Sequence, residues 1–118
     1  MLINTWIEKN FNRIIKIRRW LHQHPEVGFD EYNTSQFCQK YMEELGYKVV
    51  NNNDMKTGFF CDYGNNDGPT LALRCDMDAL PIQEINDVEY KSVNVGVSHA
   101  CVHDSHMANI LGVATFIM

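Results

Sequence analysis

The densest chemistry in the chain lies in Ser98-His99-Ala100-Cys101-Val102-His103-Asp104-Ser105-His106, where three of the five histidines, a thiol and a carboxylate fall within nine residues. Thiolate, imidazole and carboxylate are the donors that a zinc-like ion prefers. Cys101 and His103 are two residues apart. On a helix they would point to different sides, whereas on a loop leading into a helix at Asp104 they converge. A helix N-terminus there would also favour the ionised thiol of Cys101. His106 follows His103 by three residues and would share its helix face, as a further ligand or, the preferred reading, as a group that orients one. A polar helix start would also account for such a turn. Four metal-competent side chains together weigh against that alternative, although C-x-H by itself specifies little.

A second group is Arg74-Cys75-Asp76-Met77-Asp78-Ala79-Leu80-Pro81, directly after the apolar run Leu71 to Leu73. Ligand sites in open α/β sheets gather beyond the carboxyl ends of strands, and two aspartates at alternate positions can face one side. Asp78 could then hold a metal-ligating imidazole by hydrogen bond. Taken alone, this motif reads equally well as a strand-ending turn. A third group, Leu21-His22-Gln23-His24-Pro25-Glu26-Val27-Gly28-Phe29 with Glu31 and Thr34, contains a helix exit at Pro25. His22 and His24 are possible ligands there. Histidines at a helix end more often interact with its C-terminal dipole.

These groups need elements to hold them. Thr5 and Glu8 have capping-box spacing, and Ile7, Phe11, Ile14, Ile15 and Leu21 recur at helical intervals, which predicts a first helix ending near His24 and Pro25. A second helix is expected from Asn33 or Thr34, with Phe37, Tyr41, Met42 and Leu45 on one face and Gly46 as its stop. Strands are expected at Tyr47 to Val50, Gly58 to Tyr63 and Thr70 to Cys75, the last two joined as a hairpin through Gly64 to Pro69. From Asp104, as N-cap, a third helix carries Met107, Ile110, Leu111, Ala114 and Phe116 or Ile117. Mixed helices and strands imply an α/β layer arrangement. The apolar pattern runs to Met118 without a closing cap, which reads as a truncation of a longer domain.

Composition narrows the function. The 118 residues suit one domain, and a net charge of −5 with scattered Lys and Arg argues against a nucleic-acid partner. Lys16, Arg18 and Arg19 are the one basic cluster, read as a solvated helix surface. No apolar run is long enough to span a bilayer, so no membrane partner is expected. Cys38, Cys61, Cys75 and Cys101 lack paired spacing, which fits a reduced, cytoplasmic setting with the first three as small buried hydrophobes.

Taken in order, the three groups resemble the M20 family of metallopeptidases, in its branch of amidohydrolases acting on N-acyl amino acids, hippurate and auxin conjugates. The resemblance runs through Arg19 to Glu26 with Gly28, Phe29 and Glu31, then Thr57-Gly58, then Arg74 to Ile82 with Glu84, then His99 to His106. It implies the N-terminal portion of a three-layer zinc-peptidase-like catalytic domain, with two N-terminal helices, a short mixed sheet and a helix after the metal motif. By similarity, Cys101 and His103 match two ligands of a two-metal site for zinc or manganese, and Asp78 matches the aspartate that supports it. The substrate implied is a small N-acyl amino acid. In the family, a paired-glutamate segment further along supplies the general base, and a smaller lid or dimerisation domain is inserted; neither is expected within residues 1–118. The chain alone is therefore expected to be inactive, and its open apolar face to favour self-association.

One position departs from the family. Glycine is usual where this chain has Val102, and a β-branched residue there would be strained if the backbone requires a positive φ. Two other readings follow: an inactive remnant or small interaction protein that keeps the α/β half-domain, and, ranked last, a closed structural zinc module.

Overall fold

Leu21, Met107 and Asp104 are almost completely shielded from solvent, and they show where three helices meet. The computed structural model describes residues 2–50 and 53–118. Its elements in order are α1 (Ile3–Gln23), α2 (Tyr32–Leu45), β1 (Lys48–Val50), β2 (Phe60–Asp62) and α3 (His103–Ile117). The core joins Ile17 and Leu21 of α1, Cys38 and Met42 of α2, and Met107, Ala108, Leu111 and Ala114 of α3. Small residues on α3 allow close approach: a Cβ placed on Gly112 would stand 3.2 Å from Cδ1 of Ile14. Around this core, Trp20 stacks on Phe37 at 4.1 Å between centroids, and the Tyr47 hydroxyl donates to the Ala114 carbonyl at 2.8 Å.

The helix periodicity is realised, with local differences. α1 begins at Ile3 with Leu2 as a cap that makes no side-chain bond, so Thr5 and Glu8 lie inside the helix and form no capping box. Its first turns project beyond the core, which leaves Ile7 and Phe11 exposed. α2 starts at Tyr32, slightly earlier than the apolar pattern suggests. Glu26 caps it from outside, accepting from the Thr34 N–H at 2.6 Å and the Asn33 N–H at 3.2 Å. Gly46 ends α2 at φ 98°, the left-handed geometry that glycine takes without steric cost.

The sheet differs more. β1 pairs antiparallel with β2, with Lys48 opposite Asp62 and Val50 opposite Phe60. The expected hairpin between 58–63 and 70–75 is not formed, and residues 70–75 adopt no strand. β2 pairs with β1 on one edge, and residues 70–75 form no ladder with it. Leu71 is left 81% exposed and Leu73 50%.

The extended segments around the third helix are tied at single points. The Ala79 N–H donates to the Glu26 carbonyl at 2.8 Å, alongside a parallel bridge between Val27 and Ala79. Leu80 and Ser98 exchange backbone hydrogen bonds at 2.9 and 3.0 Å in an antiparallel bridge. The three sequence groups thereby lie side by side, with 79–80 between 26–27 and 98. No helix among the described residues is long and apolar enough to cross a membrane.

Candidate metal-ligand site

The backbone brings Asp78 to His103. Nδ1 of His103 lies 2.9 Å from the Asp78 carbonyl oxygen and 3.0 Å from its Oδ1. Both oxygens only accept, so Nδ1 carries the hydrogen and the free lone pair falls on Nε2. An anchored Nδ1 with a free Nε2 is the tautomer a metal-binding imidazole needs. Asp76 Oδ2 is 3.8 Å from Nε2, so both aspartates of the second motif approach the same ring. Asp76 is also paired with the exposed Arg74.

Cys101 is exposed, one residue before the helix cap. Between it and His103 stands Val102, the N-cap of α3, at φ 68° and ψ 19°. The strained geometry considered for this position is therefore present, and three hydrogen bonds hold it: the Val102 N–H reaches the His99 carbonyl at 3.3 Å, and the Val102 carbonyl receives the Ser105 and His106 amides at 3.1 and 3.2 Å. A β-branched side chain in the left-handed region costs on the order of 1 to 3 kcal/mol.

Three residues behave differently from the sequence expectation. Asp104 does not cap α3. It lies inside the first turn, fully buried, with Oδ2 2.7 Å from Nδ1 of His22 and 3.0 Å from Nε of Arg18. Arg18 thus leaves the solvated basic surface assigned to it. His22 is no dipole partner of its helix end, since its Nε2 lies 2.7 Å from Oε2 of Glu84. His24 does keep to the helix end, where its Nδ1 donates to the Trp20 carbonyl at 2.6 Å.

Glu84 and His99 were not assigned roles from sequence. Burial alone would raise the Glu84 carboxyl; the Ser92 N–H at 2.6 Å and the His22 and Asn86 side chains outweigh it and hold the group below its ordinary value. His99 is buried, and neither of its ring nitrogens has a hydrogen-bond partner among the described residues. Burial pushes its imidazole down, only partly opposed by Asp104 and Asp78. His106 is exposed, with its ring centroid 5.8 Å from that of His103.

The cysteines divide as well. Burial pushes the Cys38 thiol up to about 12 and the half-buried Cys61 up to about 11, and Cys75 is raised for the same reason. Such thiols are poor ligands. Of the four, Cys101 alone is exposed. Among the described residues no three His, Cys, Asp or Glu side chains form a metal cage, so a closed four-ligand zinc site is not present there. A cleft of about 690 Å³ lies between α2 and residues 53–58, and none of Asp78, Cys101 or His103 lines it. The donor set that suits a borderline-soft ion is Cys101 with the Nδ1-anchored His103.

Comparison with known proteins adds to this geometry. Residues 72–118 match peptidase family M20/M25/M40. The chain is 44% identical to thermostable carboxypeptidase 2 of Saccharolobus solfataricus over 89% of its own length and 27% of the relative's. It is 45% identical to N-acetyl-L-cysteine deacetylase of Bacillus subtilis over 86% of this chain and 24% of that protein. It is 43% identical to N-acyl-L-amino acid amidohydrolase of Geobacillus stearothermophilus over 86% of this chain and 27% of that protein. A solved structure from Bacillus subtilis, described as a dinuclear metal-binding peptidase of the M20 family, superposes with a TM-score of 0.87 at 39% identity, covering 93% of this chain and 31% of that one. The chain thus spans between 24% and 31% of the length of these proteins.

Proposed function

Because the chain belongs to the M20/M25/M40 peptidase family, we propose that residues 1–118 are part of the catalytic domain of a metal-dependent hydrolase cleaving the amide bond of small N-acyl amino acids. Cys101 and His103 are its ligands for a divalent ion, zinc or manganese, and two ions occupy the complete site. Such an ion, when bound, polarises the scissile carbonyl and acidifies a water. Asp78 fixes the His103 ring through Nδ1 and leaves Nε2 to coordinate. The observation that carries this reading is the double contact of Asp78 with one imidazole nitrogen, at 2.9 and 3.0 Å.

Proton transfer has no candidate among the glutamates of the motifs. Glu26 caps α2, Glu31 accepts from Phe29 N–H and the Thr57 hydroxyl, and Glu84 is engaged by Ser92 and His22. Residues 1–118 therefore bind the ion without turnover by themselves. A second reading, a remnant that keeps the fold and holds an ion weakly or not at all, is favoured by the strain at Val102.

Titration with cobalt(II) as a coloured substitute for zinc separates the two. Stoichiometric binding with a thiolate-to-cobalt absorption band, lost in Cys101→Ser and weakened in His103→Ala, supports the hydrolase site. No binding by the wild-type chain, together with no metal-dependent release of amino acid from N-acyl substrates when the remaining catalytic domain is supplied, would sink it.

A further inference from the structure

Beside the ligand loop lies a second histidine system that the proposed chemistry does not use. His22 is 7% exposed and has one carboxylate on each ring nitrogen: Asp104 on Nδ1 and Glu84 on Nε2, each at 2.7 Å. Each carboxylate comes from a different segment, so the ring ties both to α1, and each carboxylate has further partners. Glu84 also accepts from the Ser92 N–H at 2.6 Å and from Asn86 Nδ2 at 3.2 Å, and Asp104 also receives the Ser105 N–H at 2.8 Å and faces Arg18 Nε at 3.0 Å. Arg18 Nη2 also lies 3.3 Å from Nδ1.

We infer that His22, through one short contact at each ring nitrogen, clamps Asp104 of α3 and Glu84 of the 83–97 loop onto α1, making it the positioning residue for the neighbouring His103. The loop is also held by Tyr90, whose ring lies 4.5 Å from the Arg19 guanidinium and 5.8 Å from the His22 ring, by the Val93 N–H on the Gln23 carbonyl at 2.9 Å, by Gln23 Nε2 on the Glu89 carbonyl at 3.3 Å and by Asn94 Nδ2 on the Pro25 carbonyl at 2.8 Å. α3 starts at a strained residue with no side-chain cap, so the bond from α1 to Asp104 fixes where its first turn points. The link to His103 as a ligand rests on the function proposed above; the clamp itself does not.

Two measurements on the 118-residue chain test it. In His22→Gln, the amides of Ser92, Ser105 and His106 should exchange about tenfold faster relative to the rest of α3, while the core variant Ile17→Val should show no such selectivity. A uniform acceleration in His22→Gln, or the same pattern in both variants, overturns it. In cobalt titration, His22→Gln should bind on the order of tenfold more weakly, as expected for a group that orients a ligand from behind, and Ile17→Val should bind as the wild type does. Equal weakening in both removes the positioning role. If the wild-type chain takes up no cobalt, the ligand assignment of Cys101 and His103 falls, and the exchange measurement still decides the clamp.

Discussion

Two imidazoles stand against carboxylates in this chain, and they differ in how many of their nitrogens are engaged. His22 is enclosed, with both nitrogens held by carboxylates from other segments. His103 has one nitrogen fixed by Asp78, while Asp76 stands 3.8 Å from Nε2, and the exposed Cys101 lies two residues away. A fully engaged ring contributes to architecture. A half-engaged ring with a fixed tautomer retains a free lone pair, which is what coordination requires. Both systems meet within two consecutive residues, since Asp104 belongs to the first and His103 to the second.

If that division is right, removing the buried partner should cost far more stability than changing the open one. Asp104→Ala removes from a fully buried place the carboxylate that Arg18 and His22 share. It should lower the unfolding free energy by about 3 to 5 kcal/mol in urea denaturation. A loss below about 1 kcal/mol would place Asp104 among ordinary surface residues and dissolve the contrast. Val102→Gly, between the two systems, should instead stabilise. Relief of the left-handed strain, less the greater freedom of glycine in the unfolded chain, leaves a gain of about 1 kcal/mol. An unchanged or lowered midpoint would mean that the loop does not hold φ 68° in solution.

The half of this contrast that could be read from sequence is the local half. Cys101 and His103 are neighbours in the chain, so their residue types and spacing are visible without a fold, and Asp78 was identifiable as a possible support for an imidazole. The clamp joins His22 to Glu84 across 62 positions and to Asp104 across 82, and no periodicity or spacing encodes such a meeting. For the same reason His22 was read as a helix-end histidine and Asp104 as a cap. Helices are legible because their apolar period is local and their ends are marked by Pro25 and Gly46. Thr70 to Cys75 has the composition of a strand, but a strand exists only with a neighbour, and among the described residues none pairs with it.

Acid should act on the clamp before it acts on the core. The Glu84 carboxyl lies below its ordinary value of 4.5 in the folded chain, so on acidification the unfolded chain takes up this proton first. Its contribution to stability is therefore complete above that value and is lost as pH falls through the lower, folded value. Unfolding midpoints measured from neutral pH downward should decline in that acid range, and Glu84→Gln should flatten the decline. A variant that kept the full acid dependence would show that other carboxylates carry it.

The smallest expected effect on stability is the most diagnostic for the ligand loop. Cys101 is exposed and no hydrogen bond to its thiol is seen among the described residues, so Cys101→Ser exchanges a solvated thiol for a solvated hydroxyl. In the metal-free chain the unfolding free energy should change by no more than about 0.5 kcal/mol. With a zinc-like ion present, the wild-type chain should gain stability by mass action, and the variant should lose most of that gain because serine is a poor ligand for such an ion. A large loss in the metal-free state would make Cys101 a packing residue and would align the loop with the clamp. A small loss without metal and a large one with it leaves the two histidine systems in distinct roles, one built to hold the chain and the other to hold an ion.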